Sequence, residues 1–279
     1  MVRELIAAAV AAPVVGLSIW VGYAYLRLRS YNRHKRVPVD VLPGGFLRYT
    51  LQEAWAIASL GWWHLRAFFS DAVRHPKGVP AGPPVLCVHG ITQNGTNLWG
   101  IRRALEKRGR ATRAVSLGWP GRRIEAYAPA LERALRSLLA DPRATPSGTV
   151  DVVAHSMGGL VLRVVLAEHA DLAARVRRIV TLGCPHQGTA GARGLRWPGE
   201  LHGLGRRSSW IRDLPGLETS APGASLTTIA ALDDLIVYPH HTCHIPGART
   251  VDLPGIGHAG LIAHRQAIAC VVDALCAPG

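Results

Sequence analysis

The chain has 279 residues, 48% of them hydrophobic, and a formal net charge of +14 at pH 7. The length suits one large α/β domain with an appendage, and the apolar fraction is enough for a sizeable core. Lys35, Lys77 and Lys107 are the only lysines among 32 cationic side chains. No aromatic-interleaved basic motif, zinc spacing or recognition-helix pattern accompanies the charge, which therefore reads as arginine-rich coding bias and argues against a nucleic-acid partner. The five cysteines are sparse and odd in number. Cys87 and Cys184 sit in strand-like contexts and read as small core residues, while a bridge among Cys243, Cys270 and Cys276 is left open.

Residues 5–26, LIAAAVAAPVVGLSIWVGYAYL, form a run of 22 positions without a charge. At about 1.5 Å per residue the run spans a bilayer core of roughly 30 Å. Trp20, Tyr23 and Tyr25 gather at its far end, as an interfacial aromatic belt would. A cleaved signal peptide has a shorter apolar core followed by small residues. Here bulky residues and then RLRSYNRHKR follow, so residues 1–36 read as an uncleaved transmembrane helix with a basic flank. Five cations after the span put the rest of the chain on the cytoplasmic side of a bacterial-type membrane, with export to the periplasm as the alternative.

Residues 37–83 form a connector, opened by Pro38, Pro43, Gly44 and Gly45 and closed by Pro76, Gly78, Pro80, Gly82 and Pro83. Between them YTLQEAWAIASLGWWHLRAFFSDAV reads as a helix, lying either in the membrane interface or on the main domain. From Pro84 onward strands alternate with helices, which predicts a mostly parallel sheet with helices on both faces. The strands are PVLCVHG, ATRAVSLGW, VDVVA, VRRIVTLGC, SLTTIAALDDLIV and ARTVDLPG. The helices are RIEAYAPALERALRSLLA, GLVLRVVLAEHA and LIAHRQAIACVVDAL.

At VDVVAHSMGGLVLRVV a buried strand passes straight into a helix. Such a corner leaves room only for small residues two before and two after it, and these are Ala154 and Gly158, with Gly159 following. Ser156 is thereby thrust out at a helix N-terminus, where the dipole and free N–H groups favour developing negative charge. A serine that merely caps a helix needs no small residues around it.

AHSMGG resembles the nucleophile elbow of the α/β-hydrolase superfamily, and specifically of bacterial lipases and esterases, with Ala154 where a glycine usually stands. The resemblance covers about residues 84–275 and implies the α/β-hydrolase fold for residues 84–279, with a small lid at about 188–222. The chain order of that fold, Ser then acid then His, implies partners for Ser156. His258 in LPGIGHAGLI resembles the lipase histidine loop, in a setting that His202, His240, His241, His244 and His264 lack. The acid is Asp234, whose spacing to Val237 matches the lipase pattern, or Asp233 beside it. Asp252 lies too early in its own strand.

The resemblance further implies an oxyanion hole made by the N–H groups of Met157 and Ile91, the latter after the His89–Gly90 pair in VLCVHGITQNG. His89 is expected to buttress that loop, and His155 and Gly158 to support the elbow. TLGCPHQGT is similar to another segment of the same lipases, with His186 supporting the site or serving as a lid hinge.

The expected lid mixes Trp197, Leu201, Leu204, Trp210, Ile211, Leu214 and Leu217 with Arg196, Arg206, Arg207 and Arg212. Beside a membrane anchor, an apolar and cationic lid suits acyl esters of lipid; an ordinary cap helix with a buried face is the plainer reading. No haem, flavin, nucleotide or metal motif appears, and no carboxylate cluster offers a place for a structural calcium, so no cofactor is expected. The chain reads as a membrane-anchored serine esterase or lipase. An acyltransferase or thioesterase with the same residues, or a non-catalytic hydrolase-fold scaffold, are the alternatives. The sequence does not set the oligomeric state.

Overall fold

The computed structural model describes residues 80–192, 203–206 and 208–277, together with 22, 23, 25, 26, 28, 30, 50, 53–57, 74 and 75. Of residues 5–26 only Gly22, Tyr23, Tyr25 and Leu26 are among them, and all four are helical. Among the described residues no helix is long and apolar enough to cross a membrane, so the expected span lies largely outside them. Of the connector helix, positions 50 and 53–57 are described and helical.

The apolar runs form six strands: β1 (Val85–Val88), β2 (Thr112–Val115), β3 (Val150–His155), β4 (Val176–Leu182), β5 (Ser225–Ala231) and β6 (Arg249–Leu253). They pair in parallel in the order β2-β1-β3-β4-β5-β6. Every residue of β1 and β3 is buried, as befits central strands of a sheet covered on both faces. From residue 80 onward eight α-helices are described: α1 (Trp99–Glu106), α2 (Ala128–Leu139), α3 (Met157–Glu168), α4 (Ala170–Ala173), α5 (Ser209–Asp213), α6 (Leu217–Ser220), α7 (Gly260–Ala263) and α8 (Arg265–Cys276).

The sheet divides two cores. Leu131, Leu135 and Leu138 of α2 and Leu160, Val161 and Val164 of α3 pack on the face that carries Val150, Val152 and Ala154. Ile101 and Leu105 of α1 and Ala267, Val271 and Leu275 of α8 pack on the face that carries Val153. The alternation along β3 is the strand period of two. Helix α1 is absent from the expectations above, although Ile101 and Leu105 stand at helical spacing.

Several boundaries differ from the sequence reading, two of them with a clear physical cause. The strand expected over SLTTIAALDDLIV stops at Ala231, because the aspartates that follow turn their carboxylates onto loop amides: Gly255 N–H donates to Asp233, and Ile236 and Val237 N–H to Asp234. The last helix is broken at His264, whose ring accepts Gln266 N–H and caps α8.

Strand order places the site. The chain leaves β1 for β2 on one side and returns to β3 on the other, so the loops that follow β1 and β3 diverge from adjacent strands. A crevice at the carboxyl edge of such a switch point is where open α/β sheets hold ligands.

The opposite edge is held by charge. Arg110 donates to Asp151 Oδ2 at 2.5 Å, to Leu275 O at 2.7 Å and to Pro83 O, and Arg177 Nε lies 3.6 Å from Asp151 Oδ1. Asp151 is 0% exposed. Asp151→Ala strands a buried guanidinium and is expected to destabilise the protein by about 3–5 kcal/mol in chemical denaturation. A loss below about 1 kcal/mol would show that solvent or the Pro83 and Leu275 carbonyls suffice for Arg110.

Candidate active site

β3 ends at His155 and α3 starts at Met157, which leaves one residue for the corner. That residue, Ser156, has φ 53° and ψ −126°, a left-handed conformation that a side chain adopts only under surrounding constraint. The small neighbours explain how the corner fits. A Cβ on Gly158 would stand 2.5 Å from His89 O and 3.0 Å from Val88 O, and one on Gly159 would collide with Cys184 Sγ. Ser156 makes no side-chain cap to α3, so its hydroxyl is free for another partner.

That partner is His258. Ser156 Oγ lies 3.0 Å from His258 Nε2, and His258 Nδ1 lies 2.7 Å from Asp234 Oδ2. Asp234 is held in turn, its Oδ1 accepting Ile236 N–H at 2.8 Å and Val237 N–H at 2.7 Å. All three side chains are buried. Asp233 points to Gly255 instead, so of the two candidate acids Asp234 is the one that meets the imidazole.

The surrounding histidines differ from His258 in their proton affinity. Burial pushes His155 well below the ordinary imidazole value and His186 down to about 3. Burial also acts on His258, but the Asp234 charge and hydrogen bond, together with the Glu53 charge, outweigh it and raise that value. His258 is thus the ring in this group suited to take up a proton near neutrality.

The loop after β1 lies against the elbow. A Cβ on Gly90 would be 2.9 Å from Ser156 Cβ and 3.1 Å from His155 Nδ1. Leu117 N–H donates to His89 Nε2 at 2.9 Å, which puts the ring proton on Nδ1, 2.7 Å from Gly90 O. His89 therefore braces the loop that carries Ile91. Gln93 Oε1 accepts Gly90 N–H at 2.9 Å and meets His155 Nδ1 at 3.0 Å, tying the same loop to the elbow. His186 Nε2 meets Thr181 Oγ1 at 3.1 Å, its ring buried beneath the site.

Sequence reasoning passed over three features. Arg163, a lone cation in the apolar run of α3, is buried and donates to His186 O, Leu214 O and Pro215 O, pinning α3 to the root of the expected lid. In the described part of that lid Ile211 of α5 and Leu217 of α6 are buried in the α3 core; residues 193–202 and 207 lie outside the described residues. Glu53, from the connector, accepts Ala259 N–H at 3.2 Å and Gly260 N–H at 3.0 Å. Finally, His240, His244 and Asp252 bring potential metal-ligand atoms within 4.8 Å of one another, a set of nitrogen and oxygen donors that would suit zinc. HHTCH was the signal available for it.

Solved structures share this architecture. Similar chains are the mature form of the Bacillus licheniformis lipase BlEst2 (20% identity, 74% of this chain and 96% of that one, TM-score 0.58), Aspergillus fumigatus lipase B (20%, 75% and 57%, 0.59) and the metagenomic carboxyl esterase MGS0156 (19%, 72% and 77%, 0.56). At these identities the likeness establishes the α/β-hydrolase fold. A family model, described as a domain of unknown function (DUF7379), matches residues 57–248, and the chain belongs to that family on this fold.

Proposed function

We propose that the protein is a membrane-anchored serine hydrolase that cleaves carboxylic esters of acyl or lipid substrates. The observation that carries this reading is the hydrogen-bonded chain from Ser156 through His258 to Asp234 at a strained strand-to-helix corner. In the reaction His258 Nε2 takes the proton of Ser156 Oγ as the oxygen adds to the ester carbonyl. The N–H groups of Ile91 and Met157 receive the oxyanion. Collapse breaks the bond to the alcohol oxygen, which leaves with the proton held by His258. Water, deprotonated by the same ring, then hydrolyses the acyl-enzyme and frees Ser156. Asp234 keeps the ring in the useful tautomer and stabilises its cation.

A lipid substrate is supported by Trp119, 87% exposed in the loop after β2, and by the apolar and cationic composition of residues 188–222. Anchoring is supported by the uncharged run at 5–26, and retention of the domain on the cytoplasmic side by the five cations after it.

The test is labelling of the 279-residue protein in carbonate-washed membranes with a fluorophosphonate probe, followed by hydrolysis of p-nitrophenyl esters of graded chain length. Absence of both labelling and hydrolysis sinks the reading. The pH profile is part of the expectation. The base must be neutral to act, and the raised proton affinity of His258 delays that state. kcat/KM should therefore rise with pH through a midpoint above the ordinary imidazole value of 6.5. A midpoint below it would mean that Asp234 does not govern the ring.

A further inference from the structure

Glu53 is 5% exposed and belongs to a helical stretch, residues 53–57, that precedes the hydrolase domain. It lies outside the span of the family match and outside the segment that resembles lipases. Yet both its carboxylate oxygens reach the histidine loop. Oε2 takes the N–H of Ala259 and Oε1 that of Gly260, the two amides directly after His258. The approach depends on Gly260, where a Cβ would sit 3.1 Å from Oε1 and 2.8 Å from Ile256 Cγ2.

The burial of this carboxylate is unfavourable for stability. Desolvation raises Glu53 to about 6 despite the two amide hydrogen bonds, and the Asp234 charge pushes the same way while His258 opposes it. A value raised above that of the unfolded chain contributes stability below about 4.5 and loses it as pH rises through about 6. At neutral pH the ionised group therefore carries a desolvation cost. What the charge does favour is protonation of His258, on which it acts in the same direction as Asp234. The groups facing His258 are Asp234 from the loop after β5, Glu53 from the connector, and the His155 ring, 4.8 Å away at the end of β3 and held neutral.

We propose that Glu53 is a positioning residue for His258, a second carboxylate that grips the backbone of the histidine loop from outside the hydrolase domain and stabilises the imidazolium formed during catalysis. The inference rests on the serine-hydrolase reading for its catalytic meaning. It implies that the segment next to the membrane anchor completes the active site.

The test uses Glu53→Gln and Glu53→Ala in the 279-residue protein, with three readouts. Titration of the His258 ring by NMR is independent of turnover. Its midpoint should fall by about half a unit or more in Glu53→Gln. kcat should fall about threefold or more, the rate equivalent of half a unit of imidazolium stabilisation, with KM little changed. The Tm of Glu53→Gln at pH 8 carries two opposing changes: the buried charge is gone, but the new NH₂ group must face one of the two amide N–H groups that the carboxylate accepted. Glu53→Ala, which loses both acceptors, should lose more activity than Glu53→Gln. An unshifted His258 midpoint in a folded Glu53→Gln protein overturns the proposal, and so does a lowered Tm with an unshifted midpoint, which marks Glu53 as a structural tie alone. If the parent protein neither labels nor hydrolyses esters, the serine-hydrolase reading fails, while the His258 titration still decides whether Glu53 acts on that ring.

Discussion

Ser156→Ala is expected to abolish probe labelling and to lower ester turnover by about 10⁶-fold, the scale on which a triad collapses when its nucleophile is removed. No neighbour can substitute, because His258 Nε2 is aimed at Ser156 Oγ and the corner exposes one side chain. The loss should be chemical rather than conformational. Alanine at 156 keeps the Cβ at φ 53° and so keeps the backbone strain, leaving stability close to that of the parent. Ser156→Gly, equally inactive, should be more stable than Ser156→Ala by about 1 kcal/mol, since glycine adopts that conformation freely. Equal stabilities of the two variants in urea denaturation would show that the corner is not strained. Labelling at full intensity in either would remove Ser156 from the reaction.

Asp234→Asn should reduce kcat by about 10⁴-fold, and the hydrogen bonds say why. Oδ1 of Asp234 accepts two amides, from Ile236 and Val237, so in the asparagine the carbonyl oxygen must stay on that side. The NH₂ group then faces His258 Nδ1 and donates to it. The ring proton is driven to Nε2, the atom that must be empty to take the proton of Ser156. Asp233→Asn has no such consequence. Its amide oxygen can still accept Gly255 N–H, and kcat should change by no more than about twofold. Equal losses in the two variants, or the reverse order, would transfer the role to Asp233.

The geometry behind these expectations was largely legible in local pattern. The elbow is readable because its steric demand is met within five consecutive residues, and the strands because a doubly covered parallel strand must be apolar throughout. The choice between Asp233 and Asp234 was harder, since adjacent loop residues carry no period; the spacing to Val237 favoured Asp234, and it is the Asp234 carboxylate that meets His258. Helix α1 was obscured by the arginines interleaved with Ile101 and Leu105. Arg163 and Glu53 could not be placed at all. Their partners lie tens to hundreds of positions away, 206 in the case of Glu53 and Ala259, and nothing in a neighbouring residue announces a contact over that distance.

The adjacency of β1 and β3 has a consequence for how the site can change. Neighbouring strands sit about 4.8 Å apart because backbone hydrogen bonding fixes the interval. Ser156, the proposed nucleophile, stands at the end of one and the expected oxyanion donor just past the end of the other, so the sheet acts as a ruler between them. Side-chain substitution cannot rescale a ruler made of peptide groups. On the proposed reading, variation in what this protein accepts must then be written in the loops and in residues 188–222, while the backbone interval between the Ser156 corner and the loop that carries Ile91 stays the same in every descendant that keeps the sheet.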